Sequence, residues 1–336
     1  MRNRKMTPTQ EQYAALCRSE QIPLMMQAWW LEAVCPGQWD ALLYEESGQI
    51  VAAFAYHLRK KWKLRFILQP RQTQYGGLWI KSLPTDTPEA ARLAREKRII
   101  YQFIDQLDAM RLHFLEVCLH YSYTNHLPFY WRGWKQDTRY TYIIPRIGNP
   151  EKCIARFSAS KRRQIKKAEG HFTLDLSLSP DRFYTLHKTS LQESGHGPIN
   201  YGYAFFLHLW KAATERKQGQ IFALRDAEGN IHCAHFIVWD RNSAYDLIYF
   251  IQPRYAASGA STLIIAEILR QLQQKTRTFD FEGSMIESVE NSYRQFGTLQ
   301  KPYHHLTRAY NPLVAFLVHA RKKRQNRPPK PGNTHM

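Results

Sequence analysis

Two acidic residues near the end of the chain have a spacing that suits proton transfer. Asp280 and Glu282 stand two residues apart in the segment FDFEGS, which alternates apolar and acidic residues before Gly283. Alternate residues of a strand point to the same side, so we predict that both carboxylates lie on one face of a strand. Glu282, at the strand's C-terminal end, is the first candidate for a general base or for a group that orients an ammonium. The alternative is that either carboxylate pairs with a neighbouring Arg or Lys.

Residues downstream of this acidic pair could assist it. Tyr293 could donate a proton, and Arg294 and Lys301 could contact a phosphate or a carboxylate. Packing or solvation is the alternative for each of the three. Glu287 and Glu290 are better explained by their favourable interaction with the N-terminus of a following helix.

A loop with one glycine, upstream of the acidic pair, could hold an anion. The loop RYAASGAS precedes an apolar pattern at helical spacing from Leu263 to Leu272, which predicts a long amphipathic helix. Free N–H groups and the helix dipole make such a helix start an anion-binding site. An ordinary Ser/Gly helix start is the alternative. The residues predicted to hold the phosphates of a donor are Arg254, Ser258, Gly259, Ala260 and Ser261.

The elements that must position these residues occur twice along the chain. ALLYEESGQIVAAFA from Ala41 resembles ALRDAEGNIHCAHFI from Ala223, and ILQPR from Ile67 resembles FIQPR from Phe250. Further matches follow in the same order after one insertion in the first copy. Ordered matches of this kind predict two copies of one α/β unit. We expect the copies to span residues 1–150 and 151–310, followed by a short apolar segment and a basic, proline-rich tail over residues 311–336.

Periodicity and turn residues predict the elements of the second copy. Helices are expected at Asp181–Glu193, Tyr203–Arg216 and Val289–Phe296, and strands at Ile221–Leu224, Ile231–Trp239, Ala244–Ile251 and Tyr303–Leu306.

The net charge of +19 is concentrated in three clusters: RKKWKLR from Arg59, FSASKRRQIKKAEG from Phe157, and the tail from Arg321 to Lys330. We predict a strand for the first and, for the second, a helix that begins at Ser158 or Ser160 and ends at Gly170. Such clusters can be solvated faces, can bind a polyanion such as RNA, or can lie on an anionic membrane. Together they favour an anionic partner, and the tail could contact a membrane peripherally.

Several classes of protein are disfavoured by the sequence. The five cysteines are odd in number and form no CxxC pair, and the histidines show no metal-ligand spacing, so we expect neither a disulfide framework nor a metal. The N-terminus lacks the apolar region of a signal peptide, and PLVAFLVHA from Pro312 is far short of a membrane span. We therefore expect a cytoplasmic protein.

The motifs FIQPRYAASGASTLIIAEI, FDFEGS and YRQFGTLQKPY resemble those of the GNAT acyltransferase superfamily, in particular its Fem-type branch of tandem GNAT domains. FSASKRRQIKKAE is similar to the basic segment that opens the second half in this branch. The resemblance implies an α/β (α+β) fold of two GNAT-like domains, each a mixed, mostly antiparallel sheet flanked by helices. One departure is that the donor loop has Gly259 alone where the superfamily usually has two glycines.

The resemblance also implies roles for individual residues. Tyr75, Gly76 and Gly77 are similar to the first-half loop of the branch and would bind the acceptor. The strand before the donor loop would part from its neighbour and offer a backbone N–H to the acyl oxygen, a feature we expect near Phe236–Trp239. Because the first half has no carboxylate pair like Asp280 and Glu282, we expect it only to shape the acceptor groove.

The implied activity is amide formation on an amino-bearing acceptor, either a small molecule or a cell-wall precursor, in cell-envelope or polysaccharide modification. The donor, left open between acyl-CoA and aminoacyl-tRNA, would be the co-substrate, and tRNA would then be a partner. The alternative function is a non-catalytic, basic binding protein that uses degenerate GNAT domains on nucleic acid or on a membrane surface. Glu282→Gln separates the two, because only an enzyme would lose turnover.

Overall fold

The computed structural model of the protein describes residues 6–195 and 198–316. Within them, twelve strands form one mixed sheet with helices packed against it. The helices are α1 Pro8–Ser19, α2 Ala28–Val34, α3 Glu89–Ala109, α4 Leu127–Trp131, α5 Pro150–Ile154, α6 Ala159–Ala168, α7 Pro180–Glu193, α8 Tyr203–Glu215, α9 Ala260–Leu272 and α10 Glu287–Tyr293. The strands are β1 Trp39–Glu46, β2 Gln49–Lys61, β3 Leu64–Ile67, β4 Gly77–Ile80, β5 Phe114–Cys118, β6 Lys135–Pro145, β7 Thr173–Asp175, β8 Gly219–Arg225, β9 Ile231–Trp239, β10 Ser243–Ile251, β11 Thr278–Asp280 and β12 Leu299–Ala309.

The duplication is visible in the order of the elements. The first copy runs β1–β2–β3–α3–β5–α4–β6, and the second runs β8–β9–β10–α9–β11–α10–β12. The insertion in the first copy contains β4, which pairs with β2, and a loop before α3. In each copy the third strand pairs in parallel with the strand after the long helix. The predicted duplication of one α/β unit with mostly antiparallel strands is confirmed.

The two copies share one sheet because the last strand of each copy pairs with strands of the other. The strand order is β1–β2–β3–β5–β12–β6–β11–β10–β9–β8–β7. β12, from the second copy, lies between β5 and β6 of the first, and β6 lies against β11 of the second. The division near residue 150 therefore describes the order of the copies along the chain, and it stays a prediction as a boundary between folding units.

The hydrophobic core also crosses between the copies. One cluster lies mainly in the first copy and includes Leu306 of β12, and another lies mainly in the second and includes Tyr142 and Ile144 of β6. A third joins α1 and α2 to buried side chains of both copies. Trp30 of α2 and Phe206 of α8 are both fully buried in this shared cluster. Burial of large aromatic side chains on this scale fixes the two copies against each other.

Two sequence expectations about local structure need correction. The RKKWKLR segment is a hairpin rather than one strand: β2 ends at Lys61, Trp62 adopts a left-handed φ of 53°, and β3 begins at Leu64. The strand expected through Glu282 ends at Asp280. The basic helix α6 is capped as predicted, because the Ser158 hydroxyl accepts a hydrogen bond from the Lys161 N–H.

The last part of the chain bears on two expectations. The basic tail and the end of the PLVAFLVHA segment, residues 317–336, lie outside the described residues. In the part of the chain that the structure describes, no helix is both long enough and apolar enough to span a bilayer.

Candidate active site

A cleft opens where β10 and β11 part. The two strands pair only from Ser243 to Tyr245, opposite Thr278 to Asp280, and β10 then continues to Ile251 paired with β9 on its other side only. Beyond Tyr245 this edge of β10 faces a cleft of about 520 Å³ rather than a strand. Helix α7 contributes side chains to the cleft lining and contacts the end of β10, where the Ser190 hydroxyl donates to the Ile251 carbonyl oxygen at 2.7 Å. The parted strands expose backbone N–H groups of β10 that a bound molecule can use.

A β-bulge decides which side chains of β10 face this cleft. Pairing with β9 shifts between Asp246 and Ile248, so the bulge lies at Leu247. Residues three apart on a regular strand point to opposite faces, but the extra residue brings Asp246 and Tyr249 to the same face. Both line the cleft.

His235 of β9 supports these two residues from behind. Its Nδ1 lies 2.8 Å from Oδ1 of Asp246, and its ring stacks on Tyr249 with centroids 5.2 Å apart. The carboxylate accepts the Nδ1–H, which fixes the tautomer of the ring. From the sequence, His235 had no predicted role beyond that of a histidine without metal-ligand spacing. The hairpin of β9 and β10 was predictable, but the bulge that brings His235 and Asp246 together was not.

Glu282 lies in the cleft wall, in a backbone conformation that the sequence did not predict. Its φ is 60° and that of Gly283 is 69°, so the chain turns sharply out of the sheet directly after β11. Gln74, from the first copy, donates a hydrogen bond of 2.6 Å to the Glu282 carbonyl oxygen. A non-glycine residue with positive φ carries strain that is typical of functional sites. The structure thus holds Glu282 in place from both copies.

The carboxylate of Glu282 is in an environment that disfavours its charge. Its Oε1 is buried and has no hydrogen-bond partner among the described residues. Burial raises the pKa of Glu282 well above its usual value, and the nearby charges of Asp280 and Asp246 raise it further. A carboxylate with a raised pKa is a stronger base than an exposed one, which suits proton abstraction near neutral pH.

Asp280 lies close to Glu282 but does not line the cleft with it. Its side chain is fully buried behind the cleft wall, where it accepts hydrogen bonds from the Thr141 hydroxyl and, at 2.8 Å, from the Glu282 N–H. Burial raises the pKa of Asp280 to about 7, against the lowering effect of these two donors. Since Glu282 follows the end of the strand with a left-handed backbone, the alternation that the prediction required is broken. Asp280 is placed to hold the Glu282 backbone.

Tyr293 lies in the cleft, at the end of α10. It is buried, stacks on Phe281 with centroids 4.8 Å apart, and has its pKa raised far above the usual value by burial and by Tyr249. Tyr293 therefore stays protonated and can donate a hydrogen bond. Arg294 is instead exposed and contacts Asn291 outside the cleft.

The predicted donor loop lies beyond the end of β10, at the start of α9. Gly259 caps this helix with a φ of 83°. A side chain there would meet the carbonyl oxygen of Gln164 in α6 at 2.9 Å, so the space that glycine leaves is filled by α6. Ala260 is buried, Ser258 and Ser261 are half-buried, and Arg254 is exposed.

Lys161 of α6 adds a cation at this helix start that sequence analysis did not single out. Its Nζ lies 3.4 Å from the Thr262 hydroxyl in the first turn of α9, and burial lowers its pKa. The position of Lys161 within a run of basic residues gave no sign that it alone is half-buried against α9. The roles of the loop residues in donor binding stay predictions.

The backbone donor for the acyl oxygen was expected on the wrong strand. Phe236–Trp239 belongs to β9, which pairs with β8 on one side and β10 on the other. The strand that immediately precedes the donor loop is β10, and its open edge from Asp246 to Ile251 is the part that faces the cleft. The physical reason is simple: a strand with neighbours on both sides has its N–H groups in the ladder.

Three residues expected to bind the acceptor make contacts between elements: Tyr75 and Gly77 are buried, and Gly76 is half-buried. The Tyr75 hydroxyl forms a hydrogen bond with that of Tyr245, so it joins the two copies and does not face the cleft. The Gly76 N–H donates to the Cys118 carbonyl oxygen, and Gly77 is buried in β4. Lys301 lies on β12 opposite Thr141. The first-copy residues that do approach Glu282 are Gln72 and Gln74, in the same loop as Tyr75.

Comparison with known proteins identifies the class to which this cleft belongs. Residues 155–287 match the family model described as an acetyltransferase (GNAT) domain. The matched segment contains β10, the start of α9 and Glu282, which form the cleft and the adjoining loop. The second copy is therefore a GNAT domain. A comparison with curated proteins gave no match.

Solved structures extend the likeness to the whole chain. FemX superposes with a TM-score of 0.69 at 12% identity, covering 94% of this chain and 99% of FemX. L-PGS from Bacillus licheniformis has a TM-score of 0.55 at 11% identity, and the match covers 96% of this chain and 98% of that one. A tandem GNAT protein from the clavulanic acid biosynthesis pathway has a TM-score of 0.52 at 9% identity, and the match covers 90% of this chain and 94% of that one. At these identities the likeness concerns the fold. The chain has the tandem GNAT fold of the Fem type.

Proposed function

We propose that this protein is an N-acyltransferase whose working site is the cleft of the second copy. The observation that carries the proposal is the position of Glu282, which has a strained backbone and a buried carboxylate oxygen, beside the open edge of β10. Acyl transfer to an amine needs a base, a donor for the oxyanion and a seat for the activated acyl group. Glu282, the N–H groups of β10 and the start of α9 are the candidates for these three tasks.

The reaction would proceed by addition and elimination. The amine nitrogen of the acceptor attacks the acyl carbon, a C–N bond forms, and the carbonyl oxygen becomes an oxyanion that accepts hydrogen bonds from β10. Glu282 takes the proton that the nitrogen loses. The bond from the acyl carbon to the donor's sulfur or oxygen then breaks, and the leaving group can accept a hydrogen bond from Tyr293. An oxyanion donor of this kind contributes about 3–4 kcal/mol to catalysis in other enzymes.

The donor is either an acyl-CoA or an aminoacyl-tRNA, since both carry an activated acyl group next to phosphates. These phosphates would bind to the loop before α9 and to Lys161. The acceptor would be a small molecule or a cell-wall precursor with a free amine, and the place of action would be the cytoplasm. Carboxylates in the cleft wall, Glu282 and Asp246, suit a cationic amine.

Thermal unfolding with each donor class, followed by turnover, tests this proposal. Acyl-CoAs or charged tRNA should raise the melting temperature. Free CoA and uncharged tRNA lack the acyl group, so the change in melting temperature that they cause measures binding at the phosphate site of the donor alone. Release of the CoA thiol or of uncharged tRNA, dependent on an added amine, measures turnover. Stabilisation by neither donor class, or donor binding with no turnover on any amine, would contradict the proposal and favour a non-catalytic binding protein.

A further inference from the structure

One end of the sheet in the first copy gathers exposed basic and aromatic residues away from the cleft. Strand β3 of the β2–β3 hairpin pairs with the start of β5. The start of β5 also pairs with the end of β12, and the end of β12 pairs in turn with the start of β6. The hairpin turn at Trp62 therefore lies at the same end of the sheet as the residues after β12 and those before β6.

Hydrogen bonds at His113 hold this end together. The His113 N–H donates to the Arg65 carbonyl oxygen at 2.9 Å, and the Arg65 N–H donates to Nδ1 of His113 at 3.2 Å. On the other side, the Tyr310 N–H donates to the His113 carbonyl oxygen at 3.1 Å. The hairpin and the segment that follows β12 thus form one continuous surface.

Large apolar side chains on this surface are exposed to solvent. The five that share this property are Trp62, 88% exposed, Phe316, 69%, Leu313, 68%, Tyr130, 62%, and Trp131, 54%. We call these five, with the hairpin lysines, the docking edge. Trp62 is the most exposed of the five and also has a left-handed backbone. Such a turn position favours Gly or Asn, and a bulky residue there is strained. Neither packing nor turn geometry accounts for a tryptophan at this position.

The charged residues next to Trp62 in the sequence are all positive. Arg59, Lys60, Lys61 and Lys63 are exposed in the hairpin, and the chain has no acidic residue between Glu46 and Asp86. Beyond the described residues the sequence continues from this edge into the basic tail. Cations flanking an exposed tryptophan match the headgroup region of an anionic bilayer, where the indole lies at the interface and lysines meet phosphates.

We propose that the docking edge binds the surface of an anionic membrane, with Trp62 entering the headgroup region and the hairpin lysines contacting lipid phosphates. The aliphatic Leu313 beside Phe316 favours a bilayer over RNA, which would offer such a side chain no base to stack on. The edge is remote from the acyl-transfer cleft: β12 runs from beside Asp280 to the edge, a length of about 33 Å. Binding at the edge is therefore independent of the proposed catalysis.

Co-sedimentation of the full chain with vesicles tests this proposal. Vesicles of phosphatidylcholine with phosphatidylglycerol should bind the protein, those of phosphatidylcholine alone only weakly, and salt should weaken binding. Trp62→Asn keeps a residue suited to the turn and should lower the partition coefficient roughly ten-fold, since burying a large apolar side chain accounts for about that factor. Lys61→Glu with Lys63→Glu should lower it at least about twenty-fold, at about five-fold per cation.

The matched control is Lys166→Glu with Lys167→Glu in α6, which changes the net charge equally and should alter partitioning less than about two-fold. Four results would overturn the proposal: no binding to anionic vesicles, an equal loss in the α6 variant, no effect of Trp62→Asn, or hairpin-dependent binding of tRNA without vesicle binding. Thermal unfolding of each variant verifies the fold. An acyl-transfer assay without vesicles should give wild-type rates for Trp62→Asn, and this separates the edge from the cleft.

Discussion

Replacing Glu282 by Gln tests the assignment of the base directly. The side chain keeps its size and its place in the cleft wall but can no longer accept a proton. A general base contributes about 10²–10⁴-fold to turnover, so kcat should fall by that factor while donor affinity stays within about two-fold. In the wild type, kcat/KM should rise with pH and level off above the raised pKa of Glu282, because only the ionised form can take a proton.

The same substitution should stabilise the fold near neutral pH. The pKa of Glu282 is higher in the folded chain than in the unfolded chain, so the native state binds the extra proton. Stability is therefore lost as pH rises from the unfolded pKa to the folded pKa, and the Glu282→Gln variant would not incur this loss. The gain should be about 1.4 kcal/mol for each pH unit between the two pKa values, or about 2 °C in melting temperature for a chain of this size.

Steady-state kinetics and thermal unfolding across pH measure both effects. Glu287→Gln is the matched control, since Glu287 is exposed in the first turn of α10 and should leave rate and stability nearly unchanged. At low pH, where wild-type Glu282 is protonated, the two melting curves should converge. A variant that keeps more than about a tenth of wild-type turnover would refute the base assignment. A variant less stable than wild type at every pH would refute the burial argument.

Three further substitutions test the supports of the site. Gly283→Ala would place a methyl group 2.0 Å from a carbonyl oxygen of β6 and should cost about 2–4 kcal/mol in urea unfolding, whereas Gly133→Ala, with an equally positive φ and no atom within 4 Å, should cost about 1 kcal/mol. Equal costs would show that the close approach is unimportant. Gln74→Leu removes the donor to the Glu282 carbonyl oxygen and should lower kcat about ten-fold and stability by about 1 kcal/mol, with donor affinity unchanged. Tyr75→Phe should lower stability by about 1–3 kcal/mol and leave the acceptor KM unchanged, and a large rise in KM would restore its role in acceptor binding.

The sequence by itself was sufficient for the architecture. Ordered matches such as ILQPR and FIQPR predicted two copies of one unit, and most elements of the second copy were predicted with bounds close to those observed, for example Ile231–Trp239 for β9. The last strand, predicted as Tyr303–Leu306, is longer and spans Leu299–Ala309. These features depend on residues near in sequence: apolar periodicity, caps such as Ser158, and turns. The strand before Glu282 was predicted for the same reason, although it ends at Asp280.

The tertiary structure decided which groups meet. The bulge at Leu247 brings Asp246 and Tyr249 to His235, the left-handed backbone at Glu282 takes this residue out of the alternation of β11, and the exchange of β6 and β12 brings Gln74 of one copy to the carbonyl of Glu282 in the other. Each of these depends on strand register or on a partner far away in the chain. A shift of one residue in register reverses which face every side chain occupies, and no local pattern records it.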